Sequence, residues 1–387
     1  MHKRLSLLAV ISLAALPAFA DDDADRLVAA MLGDTPIIGD LQSLTDEVGG
    51  RLTGSPENEA AVEWALERFR QAEVPATRER FQMPFQWQEH GVTASISGDS
   101  SFTPNVIAKP FSASAEDLAG PLVDGGAGSA DDFARLGRDA RGAWILVETP
   151  VLDDDIGLAG LFGEYSASAA TEALAFEAGA LGIVYMSSRP KNLLYRLPLL
   201  SGVDRAPFLL MEREDAKRAQ RLLRSGQSLS LTSTIELDSG YAYESANVIG
   251  EIRGSERPDE IVVFGAHLDS YDLGTGALDN GSNVTMLIDI ARQITRLGLQ
   301  PRRTIRFALW NGEEQGLVGS WRYTQQHRDE LDKHIVATSF DIGTGRIVGF
   351  FTGGMAGLGP MVDRYLEPVG GLGPFSQVNV PLVGTDN

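Results

Sequence analysis

Between residues 246 and 340 the chain alternates short apolar runs with stretches of helical period, and few folds accommodate that order. The runs at 248–252 and 261–264 read as strands, joined through the polar segment 254–260 as a hairpin. Within 282–297 the apolar residues Val284, Leu287, Ile288, Ala291, Ile294 and Leu297 recur at helical spacing, and Gly298 supplies the stop. A buried strand at 304–310 follows Pro301, 316–327 is helical again, and 335–340 is a further strand. Such an alternation implies an α/β layer with parallel pairing. Ligands in such sheets sit beyond the carboxyl ends of the strands, so chemistry is to be sought there.

The rest of the chain is organised around that layer. Residues 24–73 read mainly as helix, with Ser55 as N-cap, Pro56 at the first helical position, and Val62, Leu66 and Phe69 on one apolar face. Residues 105–242 have a different texture. Apolar runs at 143–147, 182–185 and 208–211 alternate with Gly-, Ser- and Asp-rich turns, and helical pieces lie at 171–178 and 214–223. That is a mainly β insert, read as a lid or spacer, and it holds no His and no cluster of candidate ligands.

The strand at 261–264 runs into Gly265-Ala266-His267-Leu268-Asp269, where His267 and Asp269 project to the same side of an extended chain. Asp279 stands just before a helix that Asn280 or Ser282 can cap. The next strand ends in Trp310-Asn311-Gly312-Glu313-Glu314, and the last in Phe340-Asp341. One His and several carboxylates thus share the ends of three strands. Acids gather in a partly dry cleft only when something positive holds them, and no Lys or Arg adjoins these motifs. The chain has no Cys, which removes thiol nucleophiles and thiolate ligands. His nitrogen with carboxylate oxygen suits zinc, manganese or cobalt. Two such ions sharing a carboxylate would suit amide hydrolysis.

Taken singly, each residue has a plainer reading. Asp279 is a helix cap, the Glu pair a solvated turn, Asp341 a strand end and His267 a core side chain; only their joint placement carries the metal reading. Two rival chemistries fit less well. Gly274-Thr275-Gly276 resembles a dinucleotide loop, but the position of the third Gly is Asp279, whose charge opposes a pyrophosphate. A Gly-x-Ser-x-Gly nucleophile elbow is absent. His90, His327 and His334 read as surface residues without a role.

Charge and the N-terminus bear on where the protein works. With 33 Lys and Arg against 53 Asp and Glu, a net charge of −20 disfavours nucleic acid and anionic membrane surfaces as partners. His2-Lys3-Arg4, an apolar stretch at 5–16 and Ala18-Phe19-Ala20 read as a secretory leader spanning 1–20, too short to cross a membrane. A periplasmic or secreted protein is expected.

Three ordered motifs, Gly265-Ala266-His267-Leu268-Asp269-Ser270, Gly276-Ala277-Leu278-Asp279-Asn280-Gly281 and Trp310-Asn311-Gly312-Glu313-Glu314-Gln315-Gly316, resemble the co-catalytic zinc exopeptidases. The likeness is to the carboxypeptidase Q branch of the aminopeptidase-like family. Gly50-Arg51-Leu52-Thr53-Gly54-Ser55 is similar to that family's N-terminal segment. Ala178-Gly179-Ala180-Leu181-Gly182-Ile183 resembles its protease-associated domain, so the likeness covers 36–387. It implies the zinc exopeptidase fold, a mixed, mostly parallel sheet sandwiched by helices. The N-terminal part would span 21–104, a protease-associated-like insert 105–242 and a metal-binding core 243–387.

The resemblance also implies two zinc ions and a peptide or dipeptide substrate; a homodimer is one assembly open to the chain, and the sequence does not fix the oligomeric state. His267 and Asp341 would hold one ion and Glu314 the other, with Asp279 bridging. Asp269 would keep His267 in its ligating tautomer, and Glu313 would act as general base toward water. Adjacent Glu side chains at a strand end point apart, so one can ligate while its neighbour faces water. The family supplies a further His beyond a segment like Gly384-Thr385-Asp386; the sequence stops at Asn387, which reads as a truncated copy with an exposed sheet edge. A non-catalytic binding protein and a single-zinc glutaminyl cyclase are the alternatives on the same fold. The presence of His267, Asp279, Glu313, Glu314 and Asp341 favours the peptidase.

Overall fold

Ser55 opens the first long helix as its chemistry requires, its hydroxyl accepting the Asn58 amide at 3.1 Å while Pro56 takes the first helical position. In this computed structural model residues 21–151, 157–189, 191–196, 206–341, 345–380 and 384–386 are described, and the leader expected at 1–20 lies outside them. Helices α1 (Asp21–Met31) and α2 (Ile37–Ser43) precede that helix, α3 (Pro56–Gln71). It buries Ala61, Val62, Trp64, Ala65 and Phe69, with Leu66 half-buried at its margin.

Strand β1 (Ala76–Met83) follows, and then the chain enters a second sheet. Its strands are β2 (Trp87–Gly98), β3 (Val106–Ala108), β4 (Ala115–Asp124), β5 (Trp144–Val147), β6 (Gly182–Met186), β7 (Phe208–Met211) and β8 (Leu229–Ser239), in the order β2-β8-β4-β5-β6-β7-β3. Helices α4 (Ala130–Leu136), α5 (Gly157–Ala178) and α6 (Arg213–Arg224) complete it. The insert therefore begins before residue 105. Strand β2 pairs antiparallel with β8 from Trp87 opposite Ser239 to Gly98 opposite Leu229, and its inward Trp87, Ala94 and Ile96 join Trp144, Leu146, Val184 and Leu209 in one core.

The remaining strands return to β1. They are β9 (Tyr243–Ile252), β10 (Arg257–His267), β11 (Arg303–Trp310) and β12 (His334–Ser339), ordered β1-β9-β11-β10-β12. The hairpin expected from the polar turn at 254–260 does not form. Strand β11 lies between β9 and β10, antiparallel to the first and parallel to the second. The turn instead follows the start of β11: Ser255 and Arg257 amides donate to the Pro301 and Arg302 carbonyls, and a Cβ at Gly254 would lie 2.5 Å from the Arg303 carbonyl carbon. Strands β10 and β12 are also parallel, so the layer is mixed.

Helices α3 and α7 (Ser282–Arg296) cover one face of this sheet, packing Phe69, Val284, Leu287 and Ile288 on Val248, Ala266, Phe307 and Leu309. The helix α8 (Val318–Gln326) covers the other with Tyr323 against Val263, Ala308 and Trp310. A last short helix, α9 (Leu358–Tyr365), lies beyond β12, which is an edge strand with Ile335 exposed. Among the described residues no helix is long and apolar enough to cross a membrane.

Phe307 sits at the centre of the layer, fully buried between Phe69 and Phe264. Phe307→Ala is expected to lower stability by about 3–5 kcal/mol, read as a shifted urea midpoint at unchanged m-value. A loss below about 1 kcal/mol would mean that the ring is not part of a close-packed core.

Candidate metal centre

Parallel register brings the strand ends together. His267 pairs with Trp310 at the end of β11, Gly265 pairs with Ser339 on β12, and the Phe340 amide donates to the Gly265 carbonyl. Asp341 therefore emerges beside His267. The His267 ring is 1% exposed, with Nε2 2.9 Å from Asp279 Oδ1 and 3.1 Å from Asp341 Oδ1. Ligand atoms of these three residues all lie within 4.8 Å of one another, making them the one candidate metal group among the described residues.

The other nitrogen, Nδ1, lies 3.0 Å from the Asp269 carbonyl and 3.5 Å from its Oδ1. The main chain of Asp269 is thus the nearer contact that orients the ring. Its carboxylate organises the opposite turn instead, accepting from Thr53 Oγ1 at 2.8 Å, the Gly312 amide at 3.1 Å and the Glu313 amide at 3.4 Å. That turn is fixed further by Asn311, whose Nδ2 donates to the Ala246 carbonyl and whose Oδ1 accepts from Asn58.

Asp279 lies in a wide turn at Ala277–Gly281, entered through Gly276 at φ +59°. Neither Asn280 nor Ser282 caps the following helix as expected. Gly281 holds the N-cap position without a side-chain bond, while Asn280 Nδ2 donates to the Phe340 carbonyl at 2.8 Å and Ser282 Oγ to the Leu278 carbonyl. The Asn280 bond ties the Asp279 turn to the strand end that carries Asp341. Gly274-Thr275-Gly276 forms no anion cradle: the Thr275 and Gly276 carbonyls face inward to Arg51.

Charge accumulates on this edge. Burial, partly offset by His267 and reinforced by Glu314, Asp386 and Asp341, pushes the Glu313 carboxyl up to about 10. Desolvation, reinforced most by the Asp279 charge, drives Glu314 well above the usual carboxylate range. Their electrostatic surroundings overlap: His267 and Asp341 act on both, Asp386 on Glu313, and Asp279 and Asp269 on Glu314. Burial alone would lower His267, but the Asp269, Asp279 and Asp341 carboxylates hold it well above an ordinary imidazole.

These residues fit a divalent ion. With Nδ1–H donated to the Asp269 carbonyl, Nε2 presents a lone pair to two carboxylate oxygens, an arrangement stable only with a cation or proton between them. For tetrahedral zinc with bonds of about 2.0–2.2 Å, ligand atoms stand about 3.3–3.5 Å apart, close to the 2.9 and 3.1 Å seen here. Glu314 lies outside the close group and joins it through charge.

One sequence expectation needs correcting: a cation does stand beneath the motifs. Arg51, remote in sequence, is fully buried and donates to the carbonyls of Leu268 at 2.5 Å, Thr275 at 2.9 Å and Gly276 at 3.0 Å. Burial lowers its pKa to about 10, against the pull of Asp269, Glu314 and Asp279. Its hydrogen bonds go to carbonyls, so it shapes the loop. Nor are His327 and His334 plain surface residues. Both are half-buried around Tyr323, with His327 also bonded to Glu79, and His334 starts β12 opposite Ile261, at the far end of the sheet from His267.

The sequence reading missed Asp386. It is 6% exposed, Oδ1 accepts from Ser320 Oγ, Oδ2 is buried without a hydrogen-bond partner, and its charge acts on Glu313. The Gly-x-Asp pattern had marked the segment, but nothing local indicated that it folds back to the strand ends.

Three comparisons bear on this arrangement. The model of peptidase family M28 matches residues 247–368, which include every candidate ligand. Carboxypeptidase Q of Pongo abelii is 28% identical over 331 residues, covering 81% of this chain and 66% of that protein, so the chain spans about two thirds of the length of such relatives. Among solved structures, a peptidase M28 precursor from Shewanella amazonensis superposes with a TM-score of 0.78 at 27% identity, covering 93% of this chain and 82% of the other. BSAP, a zinc aminopeptidase from Bacillus subtilis, shares the fold at a TM-score of 0.71 and 22% identity, covering 90% and 80% of the two chains.

The crowded carboxylates set a pH dependence for the cation-free protein. Glu313 and Asp386, with ordinary values of 4.5 and 3.8, keep their protons in the fold up to about 10 and about 7. The folded state then binds more protons than the unfolded chain above about pH 4.5, and stability falls as pH rises. Chelated protein should melt progressively lower from pH 5 to pH 9, with a shallower slope in Glu313→Gln. Saturating zinc should raise Tm more at pH 8 than at pH 6. Equal slopes in the two proteins would show that Glu313 is not held protonated.

Proposed function

We propose, from the premise that residues 247–368 form a peptidase family M28 domain, that this protein is an exported zinc-dependent exopeptidase that removes N-terminal residues from peptides or cleaves dipeptides. The observation that carries the reading is His267 Nε2 set against the Asp279 and Asp341 oxygens at the carboxyl edge of a parallel strand pair. His267 and Asp341 would hold one zinc and Glu314 a second, with Asp279 shared between them. When bound, zinc supplies Lewis acidity to a carbonyl and to water.

The chain's own residues do the rest. Asp269 keeps the His267 ring in one orientation through its carbonyl, and through its carboxylate fixes the Gly312-Glu313 turn. Glu313, half-buried beside the His267 charge, takes a proton from the attacking water and returns it to the departing amine, a role open to it once a bound cation favours its ionised form. The acidic edge receives the substrate's free ammonium group, which favours attack at a chain end. The basic start, apolar stretch and Ala18-Phe19-Ala20 of residues 1–20 support export.

Purified protein loaded with zinc should release free amino acid from dipeptides and leave N-acetylated counterparts intact; no release from any dipeptide would sink the reading. Glu313→Gln should keep its zinc content by elemental analysis while kcat drops about 10²–10⁴-fold. Asp279→Ala should lose all bound zinc, and one ion retained at full occupancy would argue against a shared ligand.

A further inference from the structure

Asp269 and Glu314 are held not only by the five-stranded sheet but also by the insert, through the loop at 268–276. Arg196, in the segment leading to β7, is 2% exposed. Its Nε and Nη2 donate to both carboxylate oxygens of Asp272 at 2.7 Å each, a bidentate fork. Its Nη1 donates to Glu89 Oε2 on β2 and to the Ala108 carbonyl on β3, both at 2.7 Å, and Glu89 also accepts the Ala108 amide. The guanidinium lies over the Trp87 ring at 5.3 Å. Two insert strands therefore frame the arginine, and its free edge points at a residue three positions after Asp269.

The neighbouring residue strengthens the tie. Tyr271 packs against the insert core, and its hydroxyl donates to the Glu314 carbonyl at 3.1 Å. On its opposite side the same loop rests on Arg51 and closely on Gly50, where a Cβ would lie 2.6 Å from the Asp272 carbonyl oxygen. The loop is thus gripped between two buried arginines, Arg51 at three carbonyls and Arg196 at both oxygens of the Asp272 carboxylate.

We propose that Arg196 is a positioning residue that makes the insert an integral part of the metal centre, holding the 268–276 loop through Asp272 so that Asp269 and Glu314 keep their places. Arg196 touches no candidate ligand and acts only through Asp272 and the Tyr271 contact beside it. The inference rests on the metal-centre reading above, and its readouts extend beyond peptidase activity.

The test compares the full chain with Arg196→Lys, which keeps the charge and loses the fork, and Asp272→Asn, which leaves Arg196 paired with Glu89. Amide exchange at 268–276 and 313–314 should quicken in both variants while β5 and β6 keep their protection. Zinc affinity, measured by competition with a chelator, should weaken about 10–100-fold, and the double variant should be no worse than the more severe single one. Unchanged exchange and unchanged zinc affinity in a folded variant would overturn the proposal; if Arg196→Lys does not fold, Asp272→Asn decides alone. Wild-type protein that binds zinc yet releases no amino acid would refute the peptidase reading, while exchange and affinity still decide the role of Arg196.

Discussion

His267 stands opposite Trp310, and Gly265 opposite Ser339; that parallel register is the constraint on which the candidate metal centre depends. Three strands running the same way end on the same edge, so a His, an Asp and a Glu pair separated by tens of residues meet without any local sequence relation. A one-residue slip in either pairing would turn His267 or its neighbours to the opposite face. The apolar cores on both sides prevent that, with Phe307 and Leu309 pressed under α3 and α7 and Ala308 and Trp310 under Tyr323.

Register alone does not make such an edge tolerable. Carboxylates gathered away from water repel one another, and the chain answers by fixing the surrounding backbone rather than by neutralising each acid. Arg51 bonds loop carbonyls, Asp269 bonds turn amides, and Asn280 ties the Asp279 turn to Phe340. Asp279 and Asp341 consequently both face His267 Nε2, an arrangement that a divalent ion completes. Rigid support of this kind determines whether ligands 3 Å apart bind an ion or relax away from each other.

The seven-stranded insert gains a part in this arrangement that its sequence does not suggest. Among its described residues no group of candidate metal ligands forms, and its sequence reads as a lid or spacer. Yet Arg196 and the packing of Tyr271 connect it to the loop between His267 and Asp279. A buried guanidinium with two carboxylate partners is stable only while both stay in place, so the two sheets are joined at the loop that leads from His267 to the Asp279 turn.

The sequence by itself marked most of the helices and strands and singled out the candidate residues that stand at the strand ends. The period of Val284, Leu287, Ile288 and Ala291, the Ser55-Pro56 cap, and the His and acids placed after apolar runs are local patterns, legible without a fold. Tertiary structure alone decided that β11 enters between β9 and β10, against the expected hairpin, and that β2 belongs to the insert. It also decided that Arg51 reaches Leu268 across 217 residues, Arg196 reaches Asp272 across 76, and Asp386 comes to act on Glu313 from 73 residues further along the chain. Strand order and long-range ion pairs follow from which apolar faces bury best against each other, a competition among distant segments that leaves no mark at any single position.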